Sequence, residues 1–295
     1  MTEPTDPKRE IKYYLVAYID ILGQRESLMK LKNLPETVAQ RIEFNDVILD
    51  TYGFVRSFRE AFFNNLKLFS EDQTSLPPQF PPEATAKLKE MKRMNVKSIL
   101  ISDTVILYTP IKDNDIPYPQ SGIYAILSSM AIIFQSALGV EKPCRGAIEL
   151  GWAISLEEGD LYGYALGKAY ELESKIADYP RIVVGEELIK FLSTSHQIVQ
   201  PGIDPLLDYS VSMSKVCLEL ISKDDDGCYI LDYMGEGFKK YCFSENESTS
   251  AMVPNSYQFI EKCIETFKKN ENIKLLKRYE KLKNYFDKNI HRWKR

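Results

Sequence analysis

The sequence predicts an α+β protein built on a ferredoxin-like, split βαβ core. Up to about residue 185, the apolar runs follow the order strand, helix, hairpin, helix, strand, helix, strand. Two strand-like runs flank Ser102-Asp103, which is a turn sequence and therefore indicates a hairpin. This order of elements is the one that connects a split βαβ sheet. The Lys-rich C-terminal segment instead shows helical spacing of its apolar residues, which adds helices beyond the core.

Each element has its own local signal. Strands are indicated by short runs of β-branched and aromatic residues, and helices by longer runs with apolar residues every three or four positions. Proline and glycine clusters separate these runs. From the N-terminus, we predict a strand at 12–20, helix over 25–65 with a break near Pro35, a loop at 69–83, a helix at 83–93, and hairpin strands at 96–102 and 104–109. Then follow a loop at 113–119, a helix at 120–139, a strand at 144–154, an acidic loop at 155–161, a helix at 163–178, and strands at 180–184 and 228–233.

The domain organisation follows from what separates these elements. The sequence contains no internal repeat, and no linker is long enough to require a second independent domain. We therefore predict a core at 1–196, with a helical insertion at about 52–94. Residues 197–295 are predicted to form a C-terminal strand and helices packed on that core. The apolar stripe Ile273, Leu276, Tyr279, Leu282 and Phe286 is expected to dock there rather than on a membrane or nucleic acid.

Composition excludes several classes of function. The 295 residues carry a net charge of −4, so no overall positive field attracts nucleic acid or an anionic membrane. Two histidines cannot supply an HExxH zinc helix. Five widely spaced cysteines without a CxxC pair indicate reduced thiols. The N-terminal residues are polar, and the longest apolar run, Ile123 to Leu138, is too short and too interrupted by polar residues to span a bilayer. We expect a cytoplasmic protein.

Two aspartates stand at the ends of apolar strands. Asp20 follows the run YLVAYI, and Asp103 lies in the hairpin turn after ILIS. In a split βαβ sheet the first strand neighbours a hairpin strand, so the two carboxylates can converge. Carboxylates with an intervening backbone carbonyl suit Mg²⁺ or Mn²⁺, the phosphates of a substrate supplying further oxygens. Taken alone, Asp20 is better explained as a helix cap and Asp103 as a turn former. The pair predicts a metal site.

A phosphate site is predicted next to Asp20. Ile21, Leu22 and Gly23 open a helix, where free N–H groups favour anions and glycine permits close approach of the backbone. This signal is weak alone because many helices begin with glycine. The segment from Gly163 to Ala169 imitates a Walker A loop, but it is one residue short and lacks the Ser or Thr.

These residues carry a resemblance to class III nucleotidyl cyclases. The segment YIDILG at 18–23 resembles the opening strand of adenylate and guanylate cyclases, and Ser102-Asp103 resembles their Gly-Asp hairpin. RGAIELG at 145–151 is similar to their Arg-Val-Gly-Ile strand, and the segment 160–174 resembles their Asp-Ile-Trp-Gly block with the helix after it. The four blocks occur in the right order over residues 13–185.

The resemblance implies a class III cyclase core and roles for several residues. Asp20 and Asp103 would hold two Mn²⁺ or Mg²⁺ ions, assisted by the carbonyl of Ile21. Asp160 would help to recognise the base of a nucleoside triphosphate. Because class III sites form between two subunits, a homodimer is implied, and Asp160 would serve the site of the opposite protomer.

Three positions depart from the purine-cyclase pattern. Gly167 and Glu171 stand where those enzymes place an Asn and an Arg, and Ile99 stands where a Lys commonly reads adenine. Another cation must then stabilise the transition state, and Arg145 and Lys168 are the candidates, with Lys97 a weaker one. For Lys168, a solvated helix face is an equal alternative.

This combination resembles the bacterial pyrimidine cyclases of the Pycsar anti-phage systems. The similarity includes the opening YIDILG, the strand RGAI and the segment AYELES…YPRIVV. It implies cyclic CMP or cyclic UMP as the product, acting as a second messenger on a separate effector. Tyr18, two residues before Asp20, lies on the same strand face and could pack on a small base, although a core tyrosine is an equal alternative. The other hypotheses are a catalytically silent nucleotide sensor and a purine cyclase.

Overall fold

One mixed sheet organises the computed structural model, which describes residues 11–71, 82–92, 95–111, 119–156, 159–195, 204–243 and 251–293, without the side chains of residues 25, 26, 82, 84 and 195. The strands run in the order β2-β3-β1-β4-β6-β8-β7, with β5 paired to β4. They are β1 (Ile11–Ile21), β2 (Lys97–Ile101), β3 (Thr104–Pro110), β4 (Cys144–Ser155), β5 (Leu161–Gly163), β6 (Ile182–Val184), β7 (Ile221–Lys223) and β8 (Tyr229–Leu231).

Helices cover both faces of this sheet and extend the chain at its C-terminus. They are α1 (Gln24–Lys30), α2 (Val38–Ile48), α3 (Phe54–Glu71), α4 (Pro82–Lys92), α5 (Gln120–Gly139), α6 (Tyr164–Glu171), α7 (Glu186–Ser195), α8 (Pro205–Glu219), α9 (Glu236–Tyr241), α10 (Met252–Lys269) and α11 (Ile273–Asn289). Single π-helical turns join α2 to α3 and extend α6.

The first four strands confirm the predicted split βαβ core. β1 lies between β3 and β4 and is antiparallel to both, and β2 pairs with β3 as a hairpin. The connection from β1 to β2 therefore passes over β3, and the connection from β3 to β4 passes over β1. This crossing of two βαβ units defines the ferredoxin-like plan. β6, β8 and β7 widen the sheet beyond β4.

Several element boundaries differ from the predictions, among them β6 and β8, which are shorter than the predicted strands at 180–184 and 228–233. The predicted loop at 69–83 loses its first residues to α3 and its last to α4, and residues 72–81 lie outside the described part. The helix expected at 163–178 is α-helical only to Glu171 and finishes in a π turn at 172–176. The predicted loops at 113–119 and 155–161 are described only in part, without 112–118 and 157–158.

One face of β1 packs into the main hydrophobic core. Leu15, Ala17 and Ile19 point to this face and are buried against helix α5 among others. α5 is apolar on nearly all sides because the sheet, α8 and α10 surround it. Its length and apolar composition would suit a membrane span, but 78% of its most apolar window is buried inside the fold. Burial of this kind is the pattern of a core helix.

The opposite face of β1 packs into a smaller apolar cluster. Tyr14 and Val16 pack here with Ile106 and Tyr108 of β3, beneath helix α6. Small residues on the inner face of α6, Ala165 and Ala169, are fully buried. Asp20 belongs to this face too, since residues two apart on a strand point to the same side. Its position at the strand end leaves its carboxylate beyond the apolar cluster.

The C-terminal helices share the main core with the first half of the chain. Leu282, Tyr285 and Phe286 of α11 are buried in the same cluster as β1 and α5. Of the predicted docking stripe, Tyr279, Leu282 and Phe286 are buried, Leu276 is partly buried and Ile273 is 56% exposed. Docking of this helix onto the core is therefore seen for all but its first turn.

Candidate functional site

The candidate site is centred on Asp20 at the end of β1. In the strand register Asp20 stands opposite Thr104 of β3 on one side and Arg145 of β4 on the other. Directly opposed residues of antiparallel strands project to the same face, so all three side chains emerge together. The Asp20 side chain is 23% exposed, which makes it half-buried but open to solvent.

Asp103 is brought to the same strand end by the hairpin. The Ile21 amide donates a hydrogen bond to the Asp103 carbonyl oxygen (3.1 Å), which ties the hairpin tip to the end of β1. Ser102 adopts a left-handed conformation (φ 56°) to make this turn. The pKa of Asp20 is raised, first by burial and also by the negative charge of Asp103, while Arg145 lowers it. The backbone of Asp103 is thus bound to the end of β1, and its negative charge acts on Asp20.

Arg145 is held by two carboxylates. Its Nη2 lies 3.1 Å from Asp20 Oδ2, and its Nε lies 2.6 Å from Glu173 Oε1. The Glu173 side chain is only 3% exposed, and burial raises its pKa while Arg145 opposes that shift. A buried carboxylate requires such a cationic partner. Glu173 thus fixes the guanidinium of Arg145 independently of Asp20.

The turn after Asp20 has less free hydrogen-bonding capacity than the sequence suggested. The amide of Leu22 donates to the Pro143 carbonyl (2.9 Å), just as that of Ile21 donates to Asp103. Gly23 caps the seven-residue helix α1 in a left-handed conformation (φ 86°). Open space surrounds the position of a Gly23 Cβ, so glycine is needed here for the backbone angle and not for close packing.

Tyr18 lies on the Asp20 face, beside α6. Its ring meets that of Tyr170 edge-on, with 5.4 Å between the ring centres. Burial raises the pKa of the Tyr18 hydroxyl, and a hydrogen bond with Thr104 lowers it. Tyr18 thus packs, partly buried, against the apolar cluster beneath α6, and its hydroxyl contacts Thr104, the residue opposite Asp20.

Asp160 lies apart from Asp20 within one chain. It lines a cavity of about 530 Å³ together with Lys97, Tyr108 and Arg59. Tyr108 pairs with Val16, four residues before Asp20 along β1. The Leu156 amide donates to the Asp160 carbonyl (2.8 Å), so Asp160 lies just past the Ser155 end of β4, whereas Asp20 pairs with Arg145 near the start of that strand. The weaker candidate Lys97 is near Asp160, not near Asp20.

Lys168 also lies elsewhere. Its ammonium group binds Glu171 (3.0 Å) on the same helix, and it lines a separate cavity of about 830 Å³ beside Glu149. Glu171 binds Lys175 as well. Ile99, the third departing position, pairs with Ile106 and packs against the apolar cluster. The described part of α6 therefore directs no unpaired cation toward Asp20.

The oxygen ligands near Asp20 can be compared with those that a divalent cation requires. Within the described ranges, no three His, Cys, Asp or Glu side chains are grouped closely enough to hold a metal by themselves. Asp20 and Asp103 supply two carboxylates, and hard cations such as Mg²⁺ accept backbone and phosphate oxygens for the remaining positions. The two residues thus fit an ion that is shared with a phosphorylated substrate.

Glu173 is the site residue that sequence reasoning did not single out. The signal for it was present: Glu173 lies eight residues after Ala165 and four after Ala169, on the apolar face of this helical segment. An ionisable residue on a buried helical face usually has a charged partner. What the sequence could not show is that this partner is Arg145, because the contact joins two distant segments.

The chain is distantly similar to solved structures of guanylyl cyclase domains. No family model matches the chain, and no curated protein matches it. A solved structure with similarity is the monomeric guanylyl cyclase domain of a rhodopsin–cyclase fusion protein from the aquatic fungus Blastocladiella emersonii, with 14% identity, a TM-score of 0.34, and coverage of 63% of this chain and 89% of that one. Another is the catalytic core of a rhodopsin-guanylyl cyclase with converted specificity, with 14% identity, a TM-score of 0.33, and coverage of 75% and 97%. Similarity at this level supplies no evidence about the reaction or the substrate of this chain.

Proposed function

We propose that this protein is a metal-dependent nucleotidyl cyclase of the class III kind. One observation carries the proposal: the strand register places Asp20 beside Arg145, and the hairpin places Asp103 against the end of the same strand. Two carboxylates and a guanidinium at one strand end are the groups that a metal–triphosphate substrate needs. The sequence blocks that resemble class III cyclases contain these same residues.

The reaction joins the ribose 3′ oxygen to the α-phosphorus and breaks the bond from that phosphorus to pyrophosphate. The proton of the 3′ hydroxyl leaves to solvent. Asp20, Asp103 and the Ile21 carbonyl would hold two Mg²⁺ or Mn²⁺ ions, which lower the pKa of the hydroxyl and neutralise charge on the phosphates. Arg145 would donate to the phosphates from across the site. When Asp20 binds cations, Glu173 still holds the Arg145 guanidinium in place.

For the substrate we propose CTP or UTP. In favour of this, the positions at which purine cyclases place an Asn, an Arg and the adenine-reading Lys carry groups that cannot take those roles here. Glu171 is engaged by Lys168 and Lys175, Gly167 has no side chain, and Ile99 packs in an apolar cluster. Tyr18, on the face of Asp20, offers an aromatic surface for a small base. The resemblance to bacterial pyrimidine cyclases points the same way.

The proposed active form is a homodimer. Asp160 is too far from Asp20 along the strand to serve the same site within one chain, so its proposed role in base recognition needs a second copy. Exposed aromatic residues lie on α6: Tyr170 is 53% and Tyr164 45% exposed. Aromatic residues are enriched in the buried centres of interfaces. Light scattering at micromolar concentration checks the dimer, and a monomer with full activity would contradict it.

The cellular role proposed is a second messenger in anti-phage defence. It rests on the sequence resemblance alone. The cyclic nucleotide would act on a separate, cyclic-nucleotide-responsive effector in the cytoplasm.

The test is to incubate the protein with an equal mixture of the four nucleoside triphosphates and Mn²⁺, and to identify cyclic products by chromatography. We expect cyclic CMP or cyclic UMP. Asp20→Ala and Asp103→Ala should each abolish the product, whereas the control Asp46→Asn on exposed helix α2 should not. Activity that survives Asp103→Ala would contradict the two-metal site, and a purine product would contradict the pyrimidine substrate.

A catalytically silent nucleotide sensor is the second candidate. It is favoured by one observation: Arg145 is already bound by two carboxylates, and α6 presents no further cation to the site within the described residues. A sensor would bind triphosphate with Mg²⁺ in calorimetry and release no pyrophosphate. Pyrophosphate release at a steady rate would exclude it.

A further inference from the structure

A cavity of about 530 Å³ lies between the candidate site and the C-terminal helices. Gly23 and Gln24 line it from the turn after β1, Arg145 lines it from β4, and Arg278 and Tyr279 line it from α11. Asp20 and Asp103 are not among its lining residues, so Arg145 is the residue common to the cavity and the Asp20 cluster. The cavity therefore continues from the site toward the C-terminal helices.

Hydrogen-bond donors without acceptors line this cavity. Gln24 is 95% buried, given an exposed fraction of 5%, and its Nε2 has no partner among the described residues. Arg278 binds Asp178 only through Nε (3.3 Å), so within the described residues its two terminal nitrogens donate to no protein acceptor. A buried polar group without a protein partner is satisfied by water or by a ligand, and a ligand rich in acceptors suits both the Gln24 amide and the free N–H groups of Arg278.

The remaining walls favour a strong interaction with such a ligand. Phe259, Phe267 and Leu275 form an apolar side, which lowers the local dielectric and strengthens contacts to charge. Lys142 adds a cation that is bound to Asp50, and the carboxylates Asp178 and Glu141 also line the cavity. The cations are therefore held in place by carboxylates, and they retain N–H groups for an anion.

We propose that this cavity binds the terminal phosphates of the substrate and afterwards the pyrophosphate, with Arg278 of the C-terminal helices as a phosphate contact. The inference rests on the proposed function, because it assigns the far end of the same substrate. Arg145, at the boundary, would contact the phosphates nearest the Asp20 cluster. The C-terminal helices then complete the site in addition to stabilising the fold.

A matched control exists on the same helix. Lys281 binds the same carboxylate as Arg278, with its Nζ 2.7 Å from Asp178 Oδ2, but it is 57% exposed and does not line the cavity. If Arg278 only anchors α11 to Asp178, neutralising either cation should have the same effect. If Arg278 contacts phosphate, only its replacement should change the binding of phosphates.

The experiment measures the binding of magnesium pyrophosphate to the full chain by calorimetry, for the wild type, Arg278→Gln and Lys281→Gln. We expect Arg278→Gln to weaken binding about tenfold or more, the effect of a lost charged hydrogen bond. Lys281→Gln should change it by no more than about twofold, as for an exposed ion pair. Gln24→Met, which removes the buried amide donor at similar volume, should also weaken binding. Thermal melts establish that each variant folds.

The outcomes separate this inference from the proposed function. Equal weakening by Arg278→Gln and Lys281→Gln, or unchanged binding in both, overturns the inference even if the protein makes a cyclic nucleotide. If Arg278→Gln alone weakens the binding of pyrophosphate and the wild type makes no cyclic nucleotide, the polyphosphate site is supported. The proposal that the protein is a cyclase is then overturned. No binding of pyrophosphate by the wild type overturns the inference directly.

Discussion

At the scale of single residues, position on a helix decides what a carboxylate does. Glu171 and Glu173 are two residues apart in the same helical segment, so they point in nearly opposite directions. The Lys168 and Lys175 ammonium groups lower the pKa of Glu171, which is exposed. Burial raises the pKa of Glu173, which faces Arg145. The first is a surface charge and the second holds the site together.

This contrast makes a prediction at the residue scale. Glu173→Gln should lower the free energy of unfolding by about 2 kcal/mol, because it removes a charged hydrogen bond between buried Glu173 and Arg145, while Arg145 keeps its contact with Asp20. It should also lower turnover, since Arg145 loses its fixed position. Urea denaturation followed by circular dichroism and the cyclic-nucleotide assay measure the two effects.

Glu171→Gln is the control for this prediction. It removes a carboxylate of the same segment whose partners, Lys168 and Lys175, are open to solvent (34% and 70% exposed), so the denaturation midpoint should stay close to that of the wild type. Equal shifts in the two variants would show that the contact between Glu173 and Arg145 contributes no more than a surface pair.

At the scale of elements, the turn from β1 to α1 fixes the backbone next to Asp20. Gly23 is left-handed at the cap of α1, and the neighbouring amides are bound to the hairpin and to the turn before β4. The turn is thus fixed to both strands that flank β1. A second glycine, Gly167 on α6, has an ordinary backbone conformation and open space where a side chain would begin.

The two glycines should respond oppositely to the same substitution. Gly23→Ala should destabilise the protein by about 1 kcal/mol or more, because alanine is strained at this positive φ angle. Gly167→Ala should stabilise it by up to about 1 kcal/mol, because alanine is the better helix former. Thermal unfolding of both variants measures the difference. A stabilised Gly23→Ala protein would contradict the left-handed conformation assigned to that turn.

At the scale of the whole molecule, the C-terminal helices and the split βαβ core share one hydrophobic cluster. Leu282 and Phe286 lie in the same buried cluster as Leu15 and Ile19. The indole Nε1 of Trp293 donates to the Met234 carbonyl (3.0 Å), which ties the end of the described chain to the turn after β8. The division into a core at 1–196 and an extension at 197–295 stays a prediction, and the shared cluster indicates that the two unfold together.

The two tryptophans can test this cooperativity. Trp152 reports on β4, and Trp293 reports on the C-terminal end. In the single-tryptophan variants Trp152→Phe and Trp293→Phe, fluorescence should give the same unfolding midpoint as circular dichroism does for that variant, as expected of one cooperative unit. An earlier transition of Trp293 alone would show that the C-terminal helices separate before the sheet unfolds.

The sequence by itself determined the order of the elements, the hairpin, and the placing of Asp20 and Asp103 at strand ends. Periodicity and turn residues are local signals, so they could be read directly. Only the tertiary structure decided that Arg145 is shared by Asp20 and Glu173, that Asp160 and Lys168 lie away from Asp20, and that Arg278 reaches the cavity beside the site. These relations depend on strand register and on contacts between distant segments, and no local pattern of residues specifies those.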